Sequence, residues 1–413
     1  MNTVRFARIL LTLLMTLVLS WIIPQYFWKA FDVSIRAPRV SYSPVENKFL
    51  LLRPDLKSVK YMDLKGREYT REEYERLLPL ANYRQLAASG TMPDSLRGRK
   101  LDLKEVALNN VSLRILPGDI GLPQIPLFPL FESQSGRVRL EMPTEFFRIG
   151  SRMEFIESST NAVSEARSAE FTDTLRARGF VFPAASIAGN PTTRKPFDEG
   201  YFVVDAAGAI FHIKMVRGRP FCVRTGIPAG AGVRQIFIAE NGLREYYGAL
   251  ISTDNTVSLI SYEGYRLITL PLSGYDTRNV IMFFSGDLFF RTVTLQGEGW
   301  LQTAVMDRTY KVLDSYREEW PVREVRTPGT WAAALFPFVV TLTSDNSAYV
   351  DFSFRSGGIL ALAGIAGSLV VLVIILRLRR RVFRKHWFDI VLVACTGVFG
   401  LFATLLIPPP EEF

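Results

Sequence analysis

Apolar and polar positions follow three distinct rhythms along this chain. The first is unbroken. Ile9–Trp28, Gly357–Leu376 and Ile390–Ile407 contain no charged residue. As a helix, a run of about twenty residues spans about 30 Å, the thickness of the hydrocarbon core of a bilayer. Uncharged runs of this length predict membrane spans rather than buried core helices. Trp21, Tyr26 and Trp28 cluster at the far end of the first run, where an aromatic belt would sit. A cleaved signal peptide competes for this segment, with Val18 and Ser20 as the small residues before a cut. The run continues past Ser20 through Trp21, Ile22 and Ile23, so an uncleaved anchor is the preferred reading.

The second rhythm is helical. In "TREEYERLLPLANYRQLAASG", Thr70 and Glu73 form a capping-box pattern, Tyr74, Leu77, Leu78 and Ala81 recur at helical spacing, and Gly90 marks a stop. Pro79 is expected to kink or split this helix. Asp102 and Glu105 repeat the capping pattern before "VALNNV". In "SEARSAEFTDTLRARGF", Ala166, Ala169, Phe171 and Leu175 are expected to share one flank, with Gly179 as the C-terminal cap. Between them lies "LPGDIGLPQIPLFPLF". Its prolines predict an extended connector packed by Ile125, Leu127, Phe128 and Phe131, with a docking strip for a membrane partner as the alternative.

The third rhythm has period two. It starts with "KFLLLRP" and "SVKYMDL", joined by "DLK" and followed by a turn at Lys65-Gly66. From about residue 136 short strands recur to "YKVLDSY". In "AIFHIKMV", Ile210, His212, Lys214 and Val216 point one way and Ala209, Phe211, Ile213 and Met215 the other. Ala206-Ala207-Gly208 and Asp254-Asn255 read as hairpin turns, and Asp307-Arg308 as a third. Antiparallel pairs at this density predict a mainly β domain. At about 40–45 residues per blade, roughly 280 residues suggest a degenerate β-propeller of six to seven blades with inserted helices. The expected organisation is an anchor at 1–28, an exported β domain at 29–355 with a helical insertion at 70–110, a membrane hairpin at 356–407 around a basic loop at 377–389, and a tail at 408–413.

Charge then orients the chain. Arg377, Arg379, Arg380, Arg381, Arg384 and Lys385 lie between the last two apolar runs, and Arg5 and Arg8 precede the first. Short basic flanks stay in the cytoplasm, where they also meet anionic lipid headgroups. The N-terminus is therefore expected inside, the β domain outside, and the tail outside after a third crossing. Without those eight cations and Asp389, Glu411 and Glu412, the remaining 41 basic and 37 acidic residues give only +4 of the chain's +9. The basic character thus belongs largely to the membrane edge, which argues against nucleic-acid binding. Gly364 with Ser368, and Gly397 with Gly400, offer small surfaces for close helix packing.

Candidate chemistry is sparse. Phosphate-binding glycine motifs and the G-x-S-x-G elbow are missing from the sequence. The two histidines, His212 and His386, exclude a His-rich metal site. Cys395 sits in the third apolar run and Cys222 in the exported part, so they are not expected to pair, and Cys222 reads as a small strand residue. His212 sits within a strand, where packing is the expected role. Asp198, Glu199 and Asp205 remain as weak ligand-site candidates with His212. Adjacent residues in extended chain face opposite ways, so Asp198 and Glu199 are not expected to share a substrate. Asp254, Asp276 and Asp287 sit at turns, where Asp is favoured for its local hydrogen bonds. No enzyme activity, cofactor or metal is expected.

At "KYMDLKGREYTREEYERLLPLANYRQLAASGTMPDSLRG" and "NPTTRKPFDEGYFVVDAAGAIFHIKM" the chain resembles a family of bacterial inner-membrane proteins without an assigned activity. The similarity runs from about residue 40 to 350. Members carry membrane segments at both ends, and their genes tend to lie beside those for ABC-transporter ATPases and permeases. The resemblance implies a multi-pass protein of the bacterial inner membrane, an accessory subunit of an ABC-type export system with permease and ATPase as partners and a periplasmic β domain. It transfers no catalytic residue. A membrane-anchored ligand-binding or sensor module is the alternative. An exported glycan hydrolase is the third, disfavoured by the missing nucleophile set.

Overall fold

The computed structural model describes residues 3–31, 35–54, 58–122, 125–322, 325–343 and 350–409. The predicted Asp55–Lys57 connection and the end of the tail at 410–413 lie outside the described residues. Two compact units emerge: Arg36–Glu318, and Met1–Ile35 with Glu319–Phe413. The boundary between the units falls at 318/319. Residues 319–355 share their contacts with the apolar helices, the first of which is α1 (Thr3–Phe31).

The larger unit opens with an antiparallel meander of β1 (Arg39–Ser43), β2 (Lys48–Pro54), β3 (Val59–Asp63) and β4 (Glu68–Tyr69). The helical insertion follows as α2 (Arg71–Leu77), α3 (Tyr83–Ala88), a small hairpin of β5 (Ser95–Leu96) and β6 (Arg99–Lys100), and α4 (Leu103–Asn109). Thr70 and Glu73 close the predicted capping box on α2, and the chain breaks between α2 and α3 around Pro79. Asp102 caps α4 by accepting from Lys104 N at 3.0 Å, whereas Glu105 turns to Arg99 instead of completing a box.

Next comes β7 (Val111–Ile115). The second sheet is β8 (Phe128–Pro129), β9 (Glu145–Ile149) and β10 (Met153–Glu157), covered by α5 (Glu165–Ala177). The third holds β11 (Ala184–Gly189), β12 (Tyr201–Asp205), β13 (Ile210–Val216) and β14 (Arg219–Arg224), and the fourth β15 (Val233–Ile238), β16 (Tyr246–Ser252), β17 (Val257–Ser261) and β18 (Leu267–Thr269). The fifth is β19 (Ile281–Gly286), β20 (Arg291–Gly297), β21 (Trp300–Met306) and β22 (Val312–Glu319), with β7 pairing back onto β19. All three predicted hairpin turns are present. Five sheets of three to five strands stand where six or seven blades were expected, because 70–110 goes into helices and β7 joins a sheet made elsewhere. None of the five closes into a barrel among the described residues.

The sheets stack face to face. Phe49 of the first meets Phe290 and Val305 of the fifth. Met282, Val293 and Ala304 of the fifth pack on Ala249, Ile251, Val257 and Leu259 of the fourth. Leu250 and Ile260 turn the other way, onto Phe202, Val204 and Ile210 of the third. Tyr201, Val203, Phe211 and Ile213 then face the second sheet and α5. A strand covered on both faces needs an apolar side chain at every position, which is why "YFVVD" and "YYGALI" read as continuous runs.

Two expectations about side chains fail locally. Ala166 and Ala169 are exposed, and the buried flank of α5 is Ser168, Phe171, Thr172 and Leu175. The hydroxyls serve the outer strand: Phe155 N donates to Ser168 Oγ (2.9 Å), Met153 N donates to Thr172 Oγ1 (3.1 Å), and Thr172 Oγ1 donates to Met153 O (3.0 Å). An edge strand has no further neighbour, so a helix supplies the partners its backbone lacks. In the proline-rich connector, Leu130 and Phe131 are buried, but Ile125 and Leu127 are exposed.

The smaller unit contains α1, α6 (Thr327–Leu335), the hairpin β23 (Phe338–Thr343)–β24 (Val350–Ser356), α7 (Ala361–Leu378), α8 (Trp387–Thr396) and α9 (Val398–Leu406). Two of these helices, α1 and α7, are long and apolar enough to cross a membrane. The third expected span is broken. Gly397 takes φ +55°, and a Cβ there would collide with Pro337. Arg8 reads the consequence: one nitrogen donates to Asp389 Oδ1 at 2.6 Å and another to Ile407 O at 3.1 Å. Asp389 lies near the start of α8 and Ile407 just after α9. A straight helix would hold them about 27 Å apart at 1.5 Å per residue, so α8 and α9 fold back as a hairpin. The apolar run at 390–407 thus doubles back on itself as two short helices instead of one long one.

Other basic and small residues fall into place. Arg5, Arg377, Arg379, Arg380, Arg384 and Lys385 are exposed and Arg381 is half-buried, whereas Arg8 is tied to Asp389. A Cβ on Gly364 would collide with the Ala334 carbonyl of α6, Ser368 Oγ donates to Gly364 O at 2.7 Å, and Gly400 packs on the preceding turn of its own hairpin. These small residues are used within the unit.

Replacing Thr172 by Val keeps the shape but leaves Met153 N–H without its acceptor. The expected loss is about 1–3 kcal/mol, read by denaturant unfolding, with Thr172→Ser losing much less.

Candidate functional site

The four acidic and histidine candidates fall at three separate places in the third sheet. Asp205 ends β12 and organises the following turn: Oδ1 accepts from Ala207 N (2.9 Å) and Ala209 N (2.8 Å), and Oδ2 from Val181 N (3.0 Å). Its carboxylate is spent on backbone and shapes the hairpin.

Asp198 and Glu199 precede β12 and diverge, as extended backbone requires. Asp198 joins a fully buried centre with Lys195 and Glu240. Lys195 Nζ donates to Asp198 Oδ1 (2.6 Å), Glu240 Oε1 (2.8 Å) and Asn190 O (2.7 Å), which uses all three ammonium hydrogens. The three side chains are 3 %, 0 % and 0 % exposed. Asp198 Oδ2 accepts from Ser133 Oγ and Gly200 N, Asn190 Nδ2 donates to Glu240 Oε2, and the Phe131 ring lies 4.9 Å from the ammonium. Burial pushes the Asp198 carboxyl above its usual range, with Lys195 opposing. Gly200 allows the chain to leave this centre: it has φ +67°, and a Cβ would run into Ile213 O.

Glu199 forms the second centre. It pairs with Lys214, and accepts from the Tyr262 hydroxyl at 2.7 Å. Tyr262, Tyr247 and Tyr265 lie as near-parallel rings, with Tyr247 3.9 Å from Tyr262 and 5.3 Å from Tyr265. His212 stacks on Phe202 at 4.5 Å, its Nε2 lies 2.6 Å from Glu199 O, and its Nδ1 lies 3.0 Å from the Tyr265 hydroxyl. Burial pushes the imidazole down to about 3. It is neutral at physiological pH with both nitrogens occupied, so it fastens the Glu199 loop and has no free lone pair to act as a base. Cys222 is buried, and burial pushes its thiol up to about 12, far from a reactive thiolate.

A third centre was not foreseen. Glu245 accepts from Arg291 Nε (3.1 Å) and from the Tyr310 hydroxyl (2.6 Å), with Arg308 3.8 Å away. Burial opposes its ionisation, but the bonds from Arg291 and Tyr310 prevail and hold its carboxyl low. Arg291 also donates to Asp287 O and Phe290 O. Beside this centre lies a cavity of about 350 Å³ lined by Arg99, Glu105, Leu108, Asn109, Leu243, Leu288 and Arg308. Lys195, Glu240, Glu245, Arg291 and Arg308 come from separate loops and strands. Their convergence has no one-dimensional signal beyond a buried-position charge such as Arg291 in "DLFFRTVTL". Among the described residues, no group of acidic, cysteine or histidine side chains is arranged to hold a metal ion.

Two outcomes test these centres. Lys195→Met strands two buried carboxylates and is expected to cost about 3–5 kcal/mol, measured by denaturant unfolding. His212 gives a signed pH effect. Its folded value, about 3, lies below the unfolded value of 6.5, so only the unfolded chain takes the proton between them. Stability is full above about pH 6.5 and falls with acid down to about pH 3, by up to about 1.4 kcal/mol per unit. His212→Gln is expected to flatten the acid limb by one proton in unfolding midpoints measured across pH 4–7.

No curated protein matches the chain. Among solved structures, a dihydro-heme d1 dehydrogenase NirN in complex with DHE is 10 % identical with a TM-score of 0.21, and the alignment covers 56 % of this chain and 57 % of that one. The chain thus spans little more than half the length of that protein, and the likeness bears on neither fold nor activity. A family profile matches from β1 to the end of β21, residues 39–306, well over half of the chain. The protein belongs to the family defined by this domain of unknown function, DUF4857.

Proposed function

We propose that the protein is a membrane-anchored, non-catalytic accessory subunit of a bacterial inner-membrane ABC-type export system. In this reading the β unit is periplasmic, a degenerate propeller of five blades that binds substrate or partner. Consecutive meanders stacked face to face, with β7 supplied from far upstream to the last of them, support the propeller.

The observation that carries the membrane assignment is the reversed polarity of α1. Its buried face is Thr12, Thr16, Ser20 and Pro24, whereas Leu10 and Leu14 are 58 % and 56 % exposed. In water a helix turns its leucines inward. In lipid the small hydroxyl residues face neighbouring helices and the leucines face acyl chains. The hydroxyls are satisfied within the helix, Thr12 donating to Arg8 O (2.7 Å) and Thr16 to Thr12 O (2.8 Å). α7 exposes Leu362, Val370 and Ile374 in the same way.

The Arg8–Asp389 pair brings the start of α1 to the end of the basic loop. Arg5 and the loop cations then lie at one membrane face, the cytoplasmic one by the charge rule. Two spans and a re-entrant hairpin return Ile407 to that face. Small residues are consumed within the unit, so permease contact falls to the outer apolar faces of α1 and α7. The centres at Lys195 and Glu199 are closed and self-satisfied, which weighs against catalysis at either.

Single cysteines placed at Gly274, Phe383 and Pro409, in a background with Cys222 and Cys395 changed to Ser, test the topology. A membrane-impermeant maleimide is expected to label position 274 from outside in spheroplasts, and 383 and 409 only after lysis. Labelling of 409 from outside would restore a third crossing, and protection of 274 would overturn the periplasmic assignment. Affinity purification of the full chain in nanodiscs is expected to recover a permease and its ATPase, and recovery of neither would overturn the transporter role.

A further inference from the structure

The cavity beside Glu245 is built differently from the two closed centres. Its apolar wall comes from three directions: Leu108 near the end of α4, Leu243 in the loop before β16, and Leu288 in the turn before β20. Its polar wall is Arg308 and Asn109, with Arg99 and Glu105 paired to each other. A volume of about 350 Å³ lies within the range of small-molecule sites, which are typically apolar with a few placed polar groups.

Arg308 is hydrogen-bonded to a neutral partner, pairs only loosely with Glu245, and leaves 41 % of its side chain exposed. NH1 donates to the neutral Asn109 Oδ1 at 2.5 Å, and NH2 stays 3.8 Å from Glu245, beyond hydrogen-bond range. Glu245 is already occupied by Arg291 and Tyr310. Asp287, another nearby acid, is half-buried and directs Oδ1 to the N–H groups of Phe289 and Phe290. Partial desolvation and the neighbouring Arg291 work against the charge on Arg308, with Glu245 opposing them. An incoming anion would offset the repulsion from Arg291. A guanidinium has five donors in a planar fork, suited to two parallel bonds to an oxyanion.

We propose that this cavity binds a small aliphatic anion, its charged head on the Arg308 guanidinium and its short chain against Leu108, Leu243 and Leu288. Charge and apolar surface are both required: a bare anion leaves the leucine wall in contact with water, and a neutral chain leaves the arginine unmatched.

The test uses the full chain in nanodiscs with leucine methyl groups labelled for NMR and hexanoate as the probe. Acetate and hexan-1-ol supply the charge and the chain separately. Hexanoate is expected to shift the Leu108, Leu243 and Leu288 methyl signals saturably, with acetate and hexan-1-ol at least tenfold weaker. Arg308→Gln is expected to lose at least tenfold in hexanoate affinity. Leu243→Trp, which fills the cavity, is expected to abolish the shifts at Leu108 and Leu288 while the remaining spectrum stays folded. Equal binding of hexanoate and hexan-1-ol, hexanoate binding to Arg308→Gln within twofold of the parent, or unchanged binding to Leu243→Trp would each overturn the proposal.

Discussion

Burial of central strands on both faces is the constraint from which the β unit follows. β12 shows it most plainly: Tyr201 and Val203 serve one core, and Phe202 and Val204 the next. β16 repeats it with Ala249 and Ile251 against Leu250. The third, fourth and fifth sheets are each the wall of two cores, so central strands such as β12 and β16 have no face to give to water. Polar residues in these strands must find partners inside the protein or fail to fold. His212 lies in such a strand and is fastened at both nitrogens. Arg291, fully buried at the start of β20, is fastened by a carboxylate and two carbonyls.

Double-sided burial also sets what could be read in advance. Hairpins were legible because a turn has local chemistry: the Asp205, Asp254 and Asp307 carboxylates each accept N–H groups two residues on. Local signals also placed the break at Pro79 and the cap at Thr70. The alternation in "AIFHIKMV" correctly assigned Phe211, Ile213 and Met215 to a common face. Blade number was not legible, because nothing local tells β7 that its partner lies about 170 residues ahead, at β19. The flank of α5 was misread for a related reason. Ser168 and Thr172 are buried for the hydrogen bonds they give an edge strand, and a hydrophobicity count ranks alanine above them.

Of the candidate site, sequence separated Asp198 from Glu199 correctly through the alternation of extended chain. It missed their partners. Lys195 and Asp198 are three residues apart in a loop that reads as solvated, and Glu240 lies in the loop after β15, 45 residues from Lys195. Proximity of that kind is made by stacking the third sheet on the fourth. The arginine-lined cavity is further still from local pattern, since it gathers a helix end and loops from opposite parts of the domain.

The helical unit obeys the same accounting of polar groups with the polarity reversed. Its leucines point outward, and the small and polar residues make the contacts inside. Gly397 illustrates how a composition signal misleads. Its run has the length and hydropathy of a span, yet one positive-φ glycine set against Pro337 folds the run on itself. The two halves are then about 15 Å each, half the hydrocarbon thickness. The hairpin turns at Gly397, against Pro337, and brings its two ends together. Arg8 closes it there: a single guanidinium holds the start of α8 through Asp389 and the end of α9 through Ile407 O, while His386 Nδ1 lies 2.9 Å from the other Asp389 oxygen. Arg8 is thus the clasp of the bundle, whereas Arg5 and most of the loop cations are exposed.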